Sequence, residues 1–370
     1  MHDWFVIQDI DHLDTPAMVV YPARVEKNIR TALKMVDNDT ARLRPHVKTH
    51  KSPEVAKRML QAGITKFKCA TIAEAEMLAQ CGAADILLAY QPVGPKISRF
   101  IALMKQYPST IFSCCTDHVP AAKKINEHAA QAGVTINVYV DLNVGMNRTG
   151  IEPGEGAIHL YKECTQFANL KPVGLHAYDG HIRDKDFEAR KQRCDEKFLE
   201  VENVTGKILE AGLTAPVIIA GGSPTFSVHS KRKNIECSPG TFIYWDAGYA
   251  DLCPEQSFLP AALVITRVIS LPSPGRVCTD LGHKSVAAEN EIGKRVVFLN
   301  VPGTTVLSQS EEHLVFETSA DHSFQPGDVL YGMPWHICPS VALYERVITI
   351  ENGKISGEWR NVARDRRITL

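Results

Sequence analysis

A lysine among basic and imidazole side chains is the first feature of this sequence that points to chemistry. Lys48 lies in the stretch Arg44-Pro45-His46-Val47-Lys48-Thr49-His50-Lys51, where an apolar run that begins at Ala41 turns polar. Positive charge on Arg44, on Lys51 or on the two histidines of this stretch repels a proton from Lys48 and favours its nucleophilic free amine. Such an amine can form an imine with a cofactor aldehyde, although a basic surface loop is the alternative.

Two loops rich in glycine and hydroxyl groups are candidates for binding a phosphate. They are Gly221-Gly222-Ser223-Pro224-Thr225 and Pro239-Gly240-Thr241. Glycine lets backbone N–H groups approach phosphate oxygens, while serine and threonine donate further hydrogen bonds. Either loop alone is also an ordinary turn. Together with a reactive lysine, the two loops predict a site for a phosphorylated aldehyde cofactor.

A histidine and a cysteine two residues apart, His336 and Cys338, form a candidate metal site. In an extended segment their side chains project from the same face. Zn²⁺ accepts nitrogen and sulfur ligands and can keep a position open for a substrate oxygen. The alternative is a hydrogen-bonded histidine beside a buried thiol.

Short apolar runs alternate with helix-like segments through the first two thirds of the chain, which predicts an α/β fold. The eight candidate strands span residues 42–47, 66–70, 86–90, 110–114, 136–141, 173–178, 217–220 and 242–245. Segments between them carry apolar residues at helical spacing, and several end in glycine. Eight such units predict a (β/α)8 TIM-type barrel, whose active site lies at the C-terminal ends of the strands.

The pattern of residue types changes after about Pro254. Valine, isoleucine and threonine runs are then broken by proline and glycine turns, which predicts a C-terminal antiparallel β domain. We therefore expect the barrel over residues 15–250 and the β domain over residues 1–14 and 251–370. The early run 17–21 could return to pair with this second domain.

Composition excludes several classes of function. The 41 basic residues nearly cancel the 42 acidic ones, so no net field attracts nucleic acid or an anionic membrane, and a small-molecule substrate is favoured. The longest apolar runs fall far below the roughly 20 residues that span a bilayer. Ten cysteines in 370 residues, and a start at Met1-His2-Asp3-Trp4 without the pattern of a secretory signal, predict a cytoplasmic protein with reduced thiols.

Five motifs together resemble the D-threonine aldolase and D-serine dehydratase family, and the resemblance covers essentially the whole chain. These motifs are Asp14-Thr15-Pro16-Ala17, the stretch from Arg44 to Lys51, Gly145-Met146-Asn147-Arg148-Thr149-Gly150, Gly221-Gly222-Ser223-Pro224-Thr225 and His336-Ile337-Cys338. The resemblance implies an enzyme dependent on pyridoxal 5'-phosphate, with an alanine-racemase-like fold. It also implies a homodimer whose active sites lie at the subunit interface.

The resemblance assigns roles to individual residues. Lys48 carries the cofactor, His46 of the same motif is also in the cofactor site, Arg148 lies near the phenolic oxygen, and Tyr178 stacks on the pyridine ring. The implied phosphate contacts are Gly222, Ser223, Thr225, Gly240 and Thr241. His336 and Cys338 are the implied divalent-metal pair, for which the soft cysteine ligand favours zinc over manganese or magnesium.

The family implies a lyase that acts on D-configured 3-hydroxy amino acids, and two outcomes are open. If His181 removes the proton of the β-hydroxyl, the Cα–Cβ bond breaks to give glycine and an aldehyde, as in D-threonine aldolase. The segment Ala177-Tyr178-Asp179-Gly180-His181 resembles the aldolase branch and favours this outcome, although a histidine that merely caps this polar loop is the alternative. If Lys48 removes the Cα proton instead, a D-serine or 3-hydroxyaspartate dehydratase yields a 2-oxo acid and ammonia. Cys338 is closer to the dehydratase pattern.

Two further functions are less favoured. Alanine racemases carry an arginine at the position matched by Ser238, and this chain offers no convincing second-domain tyrosine for racemisation. A non-catalytic pyridoxal-phosphate carrier would need only Lys48 and the phosphate loops. It would not need the β domain or the pair His336 and Cys338, so these features favour catalysis.

Overall fold

The computed structural model describes residues 3–370, and residues 1 and 2, which fall in the predicted β domain, lie outside the described residues. Residues 3–31, 49–55 and 241–364 form one compact unit, and residues 32–48, 56–240 and 365–370 form the other. The predicted domain limits at residues 14 and 250 stay a prediction. The two units are called the β unit and the barrel unit below.

A curled parallel sheet is the framework of the barrel unit. Its strands lie in chain order: β2 (Lys66–Cys69), β3 (Asp85–Leu88), β4 (Ile111–Thr116), β5 (Ile136–Leu142), β6 (Leu170–Ala177), β7 (Val217–Ala220) and β8 (Ile235–Cys237). The backbone of residues 43–46 closes the ring, because Leu43 bridges to Cys237 and His46 bridges to Lys68. The predicted barrel fold is thereby confirmed.

The predicted eighth strand at residues 242–245 is wrong. Thr241–Ile243 is a 3-10 helix, and the last strand of the barrel is β8. β8 has only three residues, of which Glu236 is charged, so it gave no apolar run in the sequence. Gly240 and Thr241 therefore follow the last barrel strand instead of preceding it. Since active-site loops follow barrel strands, this correction moves the second glycine loop to the expected end of the strand.

Helices alternate with these strands, as predicted. They are α2 (Pro53–Gln61), α3 (Ile72–Gln80), α4 (Pro95–Gln106), α5 (Val119–Ala132), α6 (Glu155–Gln166), α7 (Phe187–Glu210) and α8 (Phe226–His229). Local chemistry fixes several ends. The Thr71 hydroxyl accepts the N–H of Glu74 at 3.0 Å to cap α3, and Gly133, in the left-handed conformation, ends α5.

A mainly antiparallel sheet is the framework of the β unit. Its strands are β1 (Ala17–Val20), β9 (Ala262–Ser273), β10 (Arg276–Thr279), β11 (Val296–Phe298), β12 (Thr305–Gln309), β13 (Leu314–Glu317), β14 (Val329–Pro334), β15 (Arg346–Glu351) and β16 (Lys354–Arg360). β1 pairs antiparallel with β9 and parallel with β15, so the early run does join this domain. The remaining helices are α1 (Pro22–Met35), α9 (Ala247–Leu252) and α10 (Ile337–Ala342). Within residues 3–370, no helix combines the length and apolar character needed to cross a membrane.

Candidate active site

A cavity of about 220 Å³ opens at the C-terminal ends of the barrel strands. Four of the predicted cofactor residues line it together: His46, Lys48, Arg148 and Tyr178. These residues come from three places in the barrel. His46 and Lys48 belong to the segment that closes the barrel and the turn after it, Arg148 follows β5, and Tyr178 follows β6. The barrel thus gathers side chains that are up to 132 residues apart in the sequence.

Lys48 presents a free amine to this cavity. The residue lies in a short 3-10 turn, Val47–Thr49, and its backbone N–H donates to Nδ1 of His46 at 3.2 Å. That bond orients the turn and accounts for a structural role of His46. The half-buried Lys48 side chain has no hydrogen bond or ion pair with any described residue. An amine in this state is available to react with an aldehyde.

Two of the groups that we predicted to place positive charge around Lys48, Arg44 and His50, do not do so. Arg44 is buried, and its guanidinium pairs with Glu236 at 2.6 Å and Asp85 at 2.7 Å, so its charge is compensated. Burial lowers the pKa of His50 to about 3, which keeps this ring neutral near pH 7. Two other basic side chains line the same cavity as Lys48: Arg148, and Lys68 on β2, whose pKa is lowered to about 7 mainly by burial.

Tyr178 is held between two glycines. A Cβ at Gly180 would lie 2.0 Å from the tyrosine Oη, and a Cβ at Gly222 would lie 2.9 Å from its Cε2 atom. Arg148 lies above the same ring, with its guanidinium carbon 5.0 Å from the ring centroid. A ring fixed in this way beside a free lysine leaves a slot that fits a flat heteroaromatic cofactor, so these residues fit pyridoxal phosphate.

The predicted phosphate residues fall into two groups. Gly222, Ser223 and Gly240 form one cradle, because the N–H of Gly240 donates to Oγ of Ser223 at 3.3 Å. Gly221 adopts φ +80°, which a side chain would strain. None of these residues lines the 220 Å³ cavity, and Thr241 belongs to the β unit.

Thr225 has a different hydroxyl partner from the one we expected. Its Oγ1 donates to Asp179 at 2.7 Å and accepts the N–H of Gly222 at 3.3 Å. The hydroxyl proton is therefore committed to a buried carboxylate instead of a phosphate. The Thr225 side chain therefore stabilises the glycine loop through Gly222. A direct contact between Thr225 and a phosphate would have to come from the backbone of Thr225.

A buried polar network around Asp179 was missed at the level of sequence. His229 donates from Nε2 to Asp179 at 2.8 Å, and its Nδ1 accepts from Arg232 at 2.9 Å. Burial alone raises the pKa of Asp179, but His229, Thr225 and Cys194 outweigh burial and hold the pKa below its ordinary value. The only sequence signal was the position of Asp179 directly after Tyr178.

His181 lies against the loop that follows β5. A Cβ at Gly145, which has φ +116°, would lie 2.7 Å from Nε2 of the histidine. Its Nδ1 is buried and has no hydrogen-bond partner among the described residues. Burial lowers the pKa of His181, which favours the neutral base near pH 7. His181 does not line the 220 Å³ cavity, so its catalytic role stays a prediction.

The predicted metal pair lies in the β unit. His336 is the N-cap of α10 and Cys338 lies in its first turn, so a helix start, instead of the expected extended segment, brings the two side chains together. Nδ1 of His336 lies 2.5 Å from Glu289, and Sγ of Cys338 lies 3.1 Å from the Thr49 hydroxyl. Burial lowers the pKa of His336, but interactions with Cys338, Asp246 and Glu289 outweigh it and raise the pKa to about 9. Directly interacting imidazole and sulfur groups fit a zinc ion.

Two buried groups among the described residues also gather three metal-ligand side chains each. One comprises Cys115, Asp141 and His176, and the other comprises Asp179, Cys194 and His229. Both have internal hydrogen bonds, such as His176 Nδ1 to Asp141 at 2.7 Å. Neither group contains His336 or Cys338, whose metal role stays a proposal.

Comparison with known proteins agrees with this geometry. Residues 20–247, more than half of the chain, match the family model described as "Alanine racemase, N-terminal domain". The chain belongs to this family. Residues 261–350 match the model described as "Putative serine dehydratase domain". The second match spans most of the C-terminal sheet and includes His336 and Cys338.

Full-length relatives of this alanine racemase family member are lyases. The chain is 28% identical over 359 residues to the D-threonine aldolase of an Arthrobacter species, covering 95% of this chain and 93% of the relative. It is 25% identical over 369 residues to the 3-hydroxy-D-aspartate aldolase of Paracoccus denitrificans, covering 96% of this chain and 93% of the relative. The crystal structure of D-threonine aldolase from Filomicrobium marinum matches with a TM-score of 0.89 and 26% identity, covering 98% of this chain and 99% of that chain. The predicted resemblance is confirmed.

Ser238 is the residue that the resemblance matches to an arginine of alanine racemases. Its buried hydroxyl donates to the carbonyl of Arg44 at 2.8 Å. The side chain is therefore used to join β8 to the closing segment of the barrel, and it carries no charge. A guanidinium at the cofactor's pyridine nitrogen, as the resemblance implies for racemases, has no equivalent in Ser238.

Proposed function

We propose that this chain is a pyridoxal-phosphate-dependent lyase that uses a divalent metal to cleave D-configured 3-hydroxy amino acids. Its preferred reaction is that of a D-threonine aldolase, which converts D-threonine to glycine and acetaldehyde. The observation that carries the proposal is the free Lys48 amine in one cavity with Arg148 and the fixed ring of Tyr178. The full-length likeness to two aldolases supports the choice of substrate.

Each cofactor residue has a separate task in this proposal. When bound, pyridoxal phosphate supplies an aldehyde that holds the substrate nitrogen and a ring that withdraws electrons from the bond broken at Cα. Lys48 provides the amine that anchors the group and later accepts or returns a proton. Tyr178 supports the ring, and Arg148 places a positive charge beside its phenolic oxygen. Backbone N–H groups of Gly222 and Gly240, with Ser223, hold the phosphate.

His181 is the proposed base for the β-hydroxyl. Its lowered pKa keeps the ring neutral near pH 7, so it can accept a proton without first losing one. Its Nδ1 is buried and has no hydrogen-bond partner among the described residues. Its other ring nitrogen, Nε2, faces the Gly145 loop. When the hydroxyl loses its proton to His181, its oxygen forms a C=O bond with Cβ and the Cα–Cβ bond breaks, leaving the electron pair on Cα, which then takes up a proton to give glycine. This assignment favours the aldolase outcome.

His336 and Cys338 are the proposed ligands of the metal, and zinc is the proposed ion. A zinc ion held there would act as a Lewis acid on the substrate hydroxyl. Glu289 accepts a hydrogen bond from Nδ1 of His336 and would orient the ring, as carboxylates commonly do behind a metal-bound histidine. Manganese and magnesium prefer oxygen ligands, so the sulfur of Cys338 disfavours them.

Dehydration is the second candidate reaction. Two observations favour it: a cysteine stands at the second metal position, and residues 261–350 match the serine dehydratase domain model. In this case Lys48 removes the Cα proton, hydroxide leaves from Cβ, and water hydrolyses the C=N bond of the dehydrated product to give a 2-oxo acid and ammonia. D-serine and 3-hydroxyaspartate would then be the natural substrates. A non-catalytic cofactor carrier is a remote third candidate.

Product analysis separates these candidates. Purified protein is incubated with D-threonine, pyridoxal phosphate and a panel of Zn²⁺, Mn²⁺ and Mg²⁺. Glycine with acetaldehyde would establish the aldolase, whereas 2-oxobutanoate with ammonia would establish the dehydratase. If neither forms, D-serine, 3-hydroxyaspartate and phenylserine are tested next. Cofactor binding without turnover of any of these would favour the carrier.

We also propose a homodimer that works in the cytoplasm. The dimer follows from the family resemblance, and the location is supported by the ten cysteines, none of which forms a disulfide within residues 3–370. Light scattering after gel filtration tests the first point, because a dimer of this 40.9 kDa chain has a mass near twice that value. Fractionation of cells tests the second.

A further inference from the structure

Asp246 is a buried carboxylate that binds the first turns of two helices. It is only 1% exposed and is the N-cap of α9, where its Oδ1 accepts the N–H of Tyr249 at 2.8 Å. Its other oxygen, Oδ2, accepts the N–H of Ile337 at 2.9 Å. Ile337 is the first residue of α10 and lies between His336 and Cys338. A carboxylate from another element of the β unit therefore reaches the proposed metal pair.

The N-cap residue of α10 is a histidine, which leaves the cap to another residue. The first N–H groups of a helix have no partner within the helix, and the side chain of the N-cap residue usually accepts one of them. His336 is the N-cap of α10 and forms no such side-chain hydrogen bond. Asp246 accepts one of these N–H groups instead. The imidazole of His336 is thereby left to interact with Glu289 and Cys338.

A second contact with α9 fixes the other side of His336. The N–H of Gly248 donates to the carbonyl of Trp335 at 2.9 Å, and a Cβ at Gly248 would lie 2.7 Å from that oxygen. The residue before His336 and the residue after it are thus both hydrogen-bonded to the start of α9. The Ser340 hydroxyl also donates to the carbonyl of His336 at 2.9 Å. Both peptide groups of His336 are therefore held in place.

Support of this kind is what a metal ligand requires. Residues that orient the ligands from behind typically contribute 10- to 100-fold to metal affinity. Glu289 is such a residue for the imidazole ring of His336, because it binds Nδ1. Asp246 acts on the backbone instead. Both of its oxygens accept backbone N–H groups, which suits a supporting role and not direct coordination.

We propose that Asp246 is a positioning residue for the metal site: by binding the Ile337 N–H, it fixes the directions in which the His336 and Cys338 side chains project. This inference rests on the proposed function of that pair. Gly248 supports the same geometry, because it lets α9 pack directly on the carbonyl of Trp335. Asp246 and Ile337 are 91 residues apart, so the relationship exists only in the folded chain.

The first test measures the zinc affinity of the full chain by competition with a chromogenic chelator. Asp246→Ala removes the acceptor of the Ile337 N–H, whereas Gly248→Ala displaces Trp335 and leaves the Asp246 charge in place. We expect each variant to bind zinc about 10- to 100-fold more weakly than wild type. Wild-type affinity in Gly248→Ala would overturn the proposal, since the charge of Asp246 would then explain its effect without positioning.

A milder variant and two controls complete the series. Asp246→Asn keeps one acceptor oxygen for two N–H groups and should weaken zinc binding in the same direction, which keeps the test available if Asp246→Ala does not fold. Asp186→Ala removes the N-cap of α7, which accepts the N–H of Ala189, and Gly206→Ala adds a Cβ where no atom lies within 4 Å. Both controls should bind zinc as wild type does. Losses in the controls as large as those in the test variants would overturn the proposal.

Cobalt substitution gives a readout that a mere loss of stability would not change. At saturating Co²⁺, wild type should show a sulfur-to-cobalt charge-transfer band from Cys338, with ligand-field bands that report the coordination geometry. We expect the ligand-field bands to shift in Asp246→Ala and Gly248→Ala and to stay unchanged in the two controls. No charge-transfer band in wild type, or the same band in Cys338→Ala, would refute the proposed metal pair. A normal wild-type band, with wild-type affinity and spectrum in every Asp246 variant that folds, would refute the inference alone.

Discussion

The hydroxyl of Thr225 donates a hydrogen bond to the buried carboxylate of Asp179, with Oγ1 and Oδ1 2.7 Å apart. Asp179 directly follows Tyr178, and Thr225 ends the loop that contains Gly222. This hydrogen bond therefore connects the residue after Tyr178 to the glycine loop at residues 221–225. The ring and phosphate ends of the proposed cofactor site are held by the same buried network.

Replacement of Thr225 by valine should destabilise the protein and weaken cofactor binding. The variant leaves Asp179 without one donor, and a lost hydrogen bond to a charged group costs about 1.5–3 kcal/mol. Urea denaturation measures the free energy of unfolding, and absorbance titration measures the affinity for pyridoxal phosphate. Thr205→Val is the control, because that hydroxyl donates only to the carbonyl of Val201 in its own helix. Equal behaviour of the two variants would contradict the supporting role of Thr225.

Replacement of Lys48 by alanine should abolish the absorbance band of the lysine-linked cofactor. The variant removes the free amine of the cavity, so the cofactor loses its covalent attachment. The band is measured after dialysis without borohydride. Lys57→Ala, an exposed lysine on α2, serves as the control and should retain the band. A band that persists in Lys48→Ala would remove this residue from its proposed role.

His181 should set the acidic limb of the pH–rate profile. A base works in its neutral form, so the rate falls as pH drops through the pKa of His181, which burial places below 6.5. His181→Gln should lower kcat by about 10²–10⁴-fold and remove that limb. His159→Gln, at an exposed position of α6, is the matched control. A His181→Gln profile with the wild-type limb would assign the base to another residue.

Gly145→Ala provides a second test of the same residue. The added Cβ would lie 2.7 Å from Nε2 of His181, and φ +116° strains any side chain. We expect a loss of kcat with the His181 ring displaced, measured by steady-state kinetics. Wild-type kcat in a correctly folded Gly145→Ala protein would show that this contact does not position the base.

Loss of the metal pair should reduce turnover without releasing the cofactor. His336→Ala is expected to lower the bound metal to background and kcat by about 100-fold or more, since a Lewis acid contributes several kcal/mol. Elemental analysis and the cofactor absorbance band are measured on the same sample. His283→Ala, an exposed histidine of the β unit, is the control. Unchanged metal content and rate in His336→Ala would exclude this site.

His50 should make stability fall with acid. Its pKa is about 3 in the folded protein and about 6.5 when unfolded, so the unfolded state binds more protons between these values. The contribution of a neutral His50 is complete above pH 6.5 and declines by about 1.4 kcal/mol per unit as pH falls below it. Urea denaturation of wild type and His50→Gln between pH 7 and 5 isolates this slope. Parallel slopes in the two proteins would contradict the assignment.

The sequence determined those features that depend on neighbouring residues. Hydrophobic spacing predicted helices between the strands, and the structure has such helices at Pro53–Gln61 and Val119–Ala132, because periodicity and capping are local properties. The position of Lys48 at the end of an apolar run, and the glycine loop at residues 221–225, predicted a cofactor site at the C-terminal ends of the barrel strands, which stays a prediction. The resemblance of motifs supplied the family, which the matches confirm.

Tertiary structure decided those features that depend on distant partners. β8 is a strand because Ile235–Cys237 pairs with β7 and the closing segment, whereas its own three residues show no strand pattern. Arg44 lost its predicted influence on Lys48 because Asp85 and Glu236 neutralise it from other strands. Nothing in the sequence near Lys68 indicates that it is buried. The barrel buries its side chain and brings its Nζ to 3.4 Å from Nε2 of His176. Charge, burial and hydrogen bonding at one residue are set by side chains from other strands, so the sequence near that residue cannot specify them.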